Sequence, residues 1–269
     1  MSAFLQVLCG TSSWTSPSWV GPFYPAGTAS SDFLPHYSAR FRTVEIDATW
    51  YRCPTAKTVD GWAEKTPDDF VFAAKVPRSI THEQVLLDCE GELEEFVGVM
   101  RRLGPKLGPL LLQFPYFNQQ TFPGVEPFLA RLRPFLKRLP EDVRFAVEIR
   151  NKPWLGTRLF DTLQAAGVAL AWIDHPWMPT ARYYARGAGL TTDFAYVRWL
   201  GDRHGIERVT TSWDRLVYDR TRQLELWADT TRRALGRVAK VYAYANNHYA
   251  GCGYQTAEQF QRFFSPPED

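Results

Sequence analysis

The chain has 269 residues, 45% of them hydrophobic, with a formal net charge of +2, enough for a full core and close to the about 250 residues typical of an eight-stranded β/α barrel. The near-neutral balance gives no global attraction to nucleic acid or membrane, because a local basic stripe rather than the total charge binds phosphate backbones. No stretch approaches the about 20 apolar residues needed to cross a bilayer, and Met1 to Gly10 lacks a basic segment leading into a long apolar one, so a soluble, cytoplasmic protein with no membrane partner is expected.

Eight apolar runs read as buried strands, in order LQVLCG from Leu5, TVEIDATWY from Thr43, FVFAAKV from Phe70, PLLLQFP from Pro109, RFAVEIR from Arg144, VALAWID from Val168, FAYVRWL from Phe194 and KVYAYANN from Lys240. Each turns polar at or near its C-terminal end. The polar ends are Thr11 and Ser12, Glu45 and Asp47, Lys75, Gln113, Glu148 and Arg150, Asp174, Arg198, and Asn246 with Asn247. Segments with helical periodicity lie between them: Ser31 to Phe41 with Ser30 or Ser31 as cap, Thr55 to Lys65, Glu92 to Leu103, Val125 to Leu139, Trp154 to Ala166 closed by Gly167, Trp213 to Leu235, and Thr256 to Phe264. Pro176 to Asp193 is too interrupted by Pro and Gly for a long helix and predicts a loop with a short one. Gly21 to Gly27 and the terminal SPPED read as surface loop and frayed end. This alternation predicts repeated βα units on a parallel sheet, an α/β fold closing as a TIM-type barrel in a single domain over 1–269.

A parallel strand covered by helices tolerates no charge on its outer face, so a mid-strand Glu must point into the barrel. Period two then groups Glu45 with Asp47 and Thr49, Glu148 with Arg150, and Tyr196 with Arg198, and leaves open which side of the last strand faces inward. Cys9, Cys53, Cys89 and Cys252 are widely spaced, show no metal-ligand pattern and read as free thiols. Aromatic content of 15%, with ten Trp, suits a pocket walled by rings.

GTSSW at Gly10 to Trp14, VEIDATWYRCP at Val44 to Pro54, FAAKVPRSITH at Phe72 to His82, LLLQFP at Leu110 to Pro115, AVEIRNKPW at Ala146 to Trp154, YVRWLG at Tyr196 to Gly201 and YAYANNHYAG at Tyr242 to Gly251 resemble the block pattern of the YecE-like family, domain of unknown function 72. Seven ordered blocks span almost the whole chain. The resemblance implies an eight-stranded β/α barrel and supplies no reaction. Three positions stand out against its pattern: Ser13 where the family usually has Gly, Asp47 at its Asn-or-Asp position, and the stretch from Tyr249 to Tyr254, where relatives usually continue with Ala or Pro and Asn.

In such barrels the site lies at the C-terminal strand ends, so the polar ends converge there. Glu45, Lys75 and Glu148 are the candidate catalytic groups. Lys75 reads either as a base or Schiff-base nucleophile or as an electrostatic clamp. Arg78, Arg150 and Arg198 suit an anion, held by forked hydrogen bonds. Thr11, Ser12, Trp14, Asp47, Gln113, Asp174, Asn246, Asn247 and His248 complete the candidate substrate contacts. Gly10 to Ser13 lacks a phosphate-loop pattern and reads equally as a tight turn. The bland alternative for the charges is a salt-bridge network that only fills the barrel.

The leading expectation is an enzyme acting on a small phosphorylated, carboxylated or nucleotide-like anion by acid/base chemistry, with no cofactor and an undefined oligomeric state. A second is a metal-dependent nuclease or repair enzyme on nucleic acid, with a divalent metal on His82, His175 and His248; these and His204 follow strands three, six, seven and eight without a tight ligand pair. A third is a ligand-binding protein without turnover.

Overall fold

The computed structural model describes residues 6–265. Eight strands form: β1 (Val7–Thr11), β2 (Thr43–Ile46), β3 (Val71–Lys75), β4 (Leu107–Gln113), β5 (Phe145–Glu148), β6 (Ala169–Asp174), β7 (Phe194–Trp199) and β8 (Lys240–Ala245). They lie in one sheet in the order β1-β8-β7-β6-β5-β4-β3-β2, parallel wherever their ladders are defined. This is the eight-stranded TIM-type β/α barrel. All eight apolar runs became strands. β1, β2, β5 and β7 are buried at every position, which is why they read as continuous apolar stretches and not as alternating ones.

The chain packs as two compact units. The first holds β1, Thr43–Glu45 of β2, Trp172–Asp174 of β6, and β7 and β8. In it β8 pairs with β1 and with β7, and Ser12 bridges to Glu45. The second holds β3, β4, β5 and the start of β6. There β4 pairs with β3 and β5, and β5 pairs with β6. Lys75, Gln113 and Glu148 therefore end three neighbouring strands, Gln113 and Glu148 directly in register.

Helix ends follow local chemistry. Thr55 caps Ala56–Glu64, its hydroxyl accepting from the Thr58 N–H at 3.2 Å. Gly167, at φ +63, closes the segment after Thr157–Ala165 as expected. The short helix of the β6–β7 link is Ala181–Tyr184. Two expectations change. Neither Ser30 nor Ser31 caps a helix: both lie inside a 3-10 turn, Ser30–Asp32, that leads into Phe33–Ser38. The helix expected from Trp213 starts at Thr221, because the N–H groups of Val217 and Tyr218 are spent on the Ala250 carbonyl at 2.7 and 3.1 Å and cannot join a helical ladder.

β2 is shorter than its apolar run. After Ile46 the backbone turns helical at Asp47 and makes a 3-10 turn over Ala48–Trp50, so Asp47 and Thr49 do not continue the face that carries Glu45. β5 likewise stops at Glu148, before Arg150, and β8 at Ala245, before Asn246. All four cysteines are free. Among the described residues no helix is long and apolar enough to cross a membrane. The residues 266–269 of the terminal SPPED stretch, and Leu5 of the first run, lie outside the described residues.

Candidate functional site

In the first unit, Glu45 and Arg198 sit at the same level on the inner faces of β2 and β7. Arg198 Nε donates to Glu45 Oε2 and its terminal Nη2 to Oε1, both at 2.8 Å, and the Tyr196 hydroxyl donates to Oε2 at 2.7 Å. Thr43 Oγ1 and the Tyr244 hydroxyl are 2.9 Å apart, and the Tyr196 and Tyr244 rings lie 5.3 Å apart. This settles the face of β8: Tyr244 shares the side of Glu45. Arg198, expected as part of an anion clamp, is 1% exposed and holds a carboxylate that is itself fully buried. Burial, followed by the Glu45 charge, raises the Tyr196 phenol well above its ordinary range, so it stays a neutral donor.

The second unit gathers a different set. Lys75 Nζ meets Asp47 Oδ1 at 2.5 Å, and the Thr49 hydroxyl donates to the Lys75 carbonyl at 2.7 Å, so the turn that ended β2 aims Asp47 at the end of β3. Glu148, fully buried, accepts from Arg150 Nε at 2.9 Å. The two terminal nitrogens of Arg150 have no hydrogen-bond partner among the described residues. Gln113, 8% exposed, likewise has none for its amide.

Arg78 follows β3 and enters a π-helical turn, Ser79–Glu83, that carries His82. Such turns are rare and recur at functional positions. Arg78 Nε donates to Glu83 at 2.9 Å, and its guanidinium lies 5.1 Å from the centre of the Trp50 ring. Trp50 packs edge-on against His82 at 5.2 Å, and its indole N–H is buried without a protein acceptor. His82 Nδ1 is 2.8 Å from the Thr81 hydroxyl. Burial first, then the charges of Arg150, Arg78 and Lys75, pull the His82 imidazole down to about 4 against the opposing effect of Glu148. His82 is therefore neutral at pH 7, set among three cations and one carboxylate.

Asp174, Asn246, His248 and Trp14 make contacts within the first unit. Asp174 Oδ2 accepts from Trp227 Nε1 at 2.6 Å and from the Tyr249 hydroxyl at 2.9 Å. Asn246 caps the turn Asn247–Ala250, accepting from the His248 N–H at 2.9 Å and meeting His248 Nδ1 at 2.6 Å. His248 Nε2 lies 3.2 Å from Glu207. The Trp14 carbonyl accepts from the Tyr24 hydroxyl at 2.6 Å. Trp177 N–H points at His175 Nδ1 at 3.4 Å, and His204 lies on the exposed turn Arg203–Glu207. Among the described residues no group of three or more His, Cys, Asp or Glu side chains is arranged to hold a metal ion.

The family model described as Protein of unknown function DUF72 matches residues 8–268. The chain belongs to the DUF72 family. The UPF0759 protein YecE of Escherichia coli K12 is 34% identical over 146 residues, 54% of this chain and 49% of YecE. The UPF0759 protein YunF of Bacillus subtilis 168 is 30% identical over 156 residues, 56% of this chain and 54% of YunF. The aligned stretch thus spans about half the length of these curated relatives. A DUF72 family protein of Thermotoga maritima has the same fold, with a TM-score of 0.74 and 27% identity over 96% of this chain and 98% of that one.

Family membership leaves the reaction of this DUF72 barrel to be argued from its side chains. Sequence reasoning missed Thr81 as the partner of His82 and did not single out the Trp50 indole N–H as a donor. The one available signal was the placement of a hydroxyl directly before the histidine in SITH.

Proposed function

We propose that the second unit binds a small anion, phosphorylated or carboxylated, and is the proton-transfer site of an enzyme. Arg150 carries the reading: its Nε is anchored on buried Glu148 at 2.9 Å while its terminal nitrogens have no partner among the described residues. A planar guanidinium held by one edge presents the other as a ready fork for two oxygens. Arg78 and Lys75 add positive charge, the Gln113 amide and the Trp50 N–H add neutral donors, and Asp47 holds Lys75 in place. Paired with Asp47, Lys75 suits the clamp role over that of a nucleophile.

Glu148 is the base of this reading and His82, as a neutral imidazole, is a hydrogen-bond donor or proton relay to a carbonyl or phosphoryl oxygen. Three cations around His82 favour an anion there over a divalent cation, which is why the anion reading stands ahead of a metal-dependent nuclease. Calorimetric titration with inorganic phosphate tests it. Saturable binding that weakens about tenfold in Arg150→Lys, which keeps the charge and loses the fork, supports the site. Equal binding by both proteins, or none by the wild type, overturns it. A Glu148→Gln variant that turns over a bound substrate as wild type does would remove Glu148 as the base.

A further inference from the structure

The first unit contains a cavity of about 210 Å³ just beyond the end of β1, lined by Thr11, Ser12, Ser13, Trp19, Trp213 and Asn247 among others, and none of its lining residues is charged. We propose that this cavity is a binding site in its own right for a small neutral polyhydroxylated molecule, a monosaccharide or a short polyol. The site goes beyond the anion reading and does not depend on it.

The lining chemistry sets the ligand class. Thr11, Ser12, Ser13, Thr15 and Ser16 bring five hydroxyl-bearing residues to the cavity wall. The Thr11 hydroxyl is engaged with Ser13 and Tyr37, and those of Ser13 and Thr15 meet each other at 2.9 Å, which leaves the Ser12 and Ser16 hydroxyls to donate and accept as the vicinal hydroxyls of a sugar do. The Asn247 carbonyl oxygen is taken by the Gly253 N–H at 2.7 Å, which leaves its NH₂ as a donor without a partner among the described residues. Trp213, only partly buried, supplies apolar ring surface of the kind that packs on the C–H face of a carbohydrate, while Trp19 is buried in the wall. With no cation or carboxylate in the wall, an ionic ligand would lose its hydration uncompensated. The volume lies below the about 300–1,000 Å³ of drug-sized pockets, which restricts the ligand to about one monosaccharide unit.

Ser12 supplies the second observation. Its hydroxyl oxygen is buried and has no hydrogen-bond partner, an uncommon state for a buried polar atom and one that a ligand hydroxyl would relieve. The backbone around it is fixed. The Ser12 N–H donates to the Ala245 carbonyl at 3.0 Å, the Thr11 N–H to the Tyr37 hydroxyl at 2.9 Å, and the Thr11 hydroxyl to the Ser13 carbonyl at 2.7 Å. Ser13 itself stands at φ +102, a region that a residue with a side chain rarely adopts and holds only where its surroundings dictate it. The cradle is thus formed before a ligand arrives.

Saturation-transfer NMR with D-glucose and with sorbitol, each at millimolar concentration, tests the site. The expected result is transfer to at least one of them, weakened about tenfold in Ser12→Ala and lost in Trp213→Leu, with no competition by inorganic phosphate. Ser12→Ala should fold at least as well as wild type because it removes a hydroxyl that has no partner to lose. Absence of transfer from both sugars, transfer unchanged in a folded Ser12→Ala, or displacement by phosphate would each overturn the proposal.

Discussion

Arg198 lays its guanidinium along the Glu45 carboxylate in two hydrogen bonds of 2.8 Å, with both side chains sealed from solvent. A buried pair of this kind is weak as a source of net stability but expensive to break, since the survivor is left charged without a counterion. Arg198→Met should therefore destabilise the protein by about 3–5 kcal/mol. Glu45→Leu combined with Arg198→Met should recover much of that loss. Urea unfolding of the three proteins checks this, and a double variant no better than the single would contradict it.

Lys106 gives a second stability prediction. It is 8% exposed, and its Nζ donates to the Ala63 and Thr66 carbonyls, both at 2.7 Å, where the helix Ala56–Glu64 runs out of partners for its last carbonyls. Lys106→Met should cost about 1–3 kcal/mol by taking this donor from the Thr66 carbonyl and leaving the Ala63 carbonyl only the Thr66 hydroxyl at 3.3 Å. Thermal or urea unfolding measures it.

Arg78 separates binding from folding. Its ion pair with Glu83 is largely exposed on both sides, so Arg78→Ala should change stability by less than about 1 kcal/mol. Phosphate affinity should nevertheless fall several-fold, about 1 kcal/mol or more of binding free energy. Paired unfolding and calorimetric curves on the same sample should show affinity falling with stability unchanged; a parallel loss of both would contradict this.

His82 links acidity to stability. Its folded-state value of about 4 lies below the ordinary 6.5, so between those values the unfolded chain binds more protons and acid favours unfolding. This contribution is intact above about pH 6.5 and is lost as pH falls towards 4. His82→Gln should flatten that part of the stability profile, by at most about 2 kcal/mol once solvent screening of a half-buried ring is allowed for. Parallel profiles of variant and wild type across this window would count against it.

The barrel was legible because each strand is buried on both faces and so appears as an unbroken apolar run, and because its polar residues gather at one end. Glu45 and Arg198 were legible as inward-facing by period two, but nothing in either run says that they face each other, since their partnership depends on register. Period two failed at Asp47, which follows the last residue of β2, where the backbone leaves the pleat. That failure matters, because the helical turn is what brings its carboxylate to Lys75. The solitary histidines could not be ranked from spacing. His82 was separated from His204 only by its surroundings, a π-helical turn, an indole and three cations.

The anion site makes its sharpest claim at His82 itself. Two-dimensional NMR of the imidazole nitrogens across pH, without and with saturating inorganic phosphate, reads the cation cluster directly. The ring should stay neutral and protonate only near pH 4 in the free protein, and at distinctly higher pH once phosphate offsets the charges of Arg150, Arg78 and Lys75. A free-protein midpoint near the ordinary 6.5, or one that phosphate leaves unmoved, would contradict it.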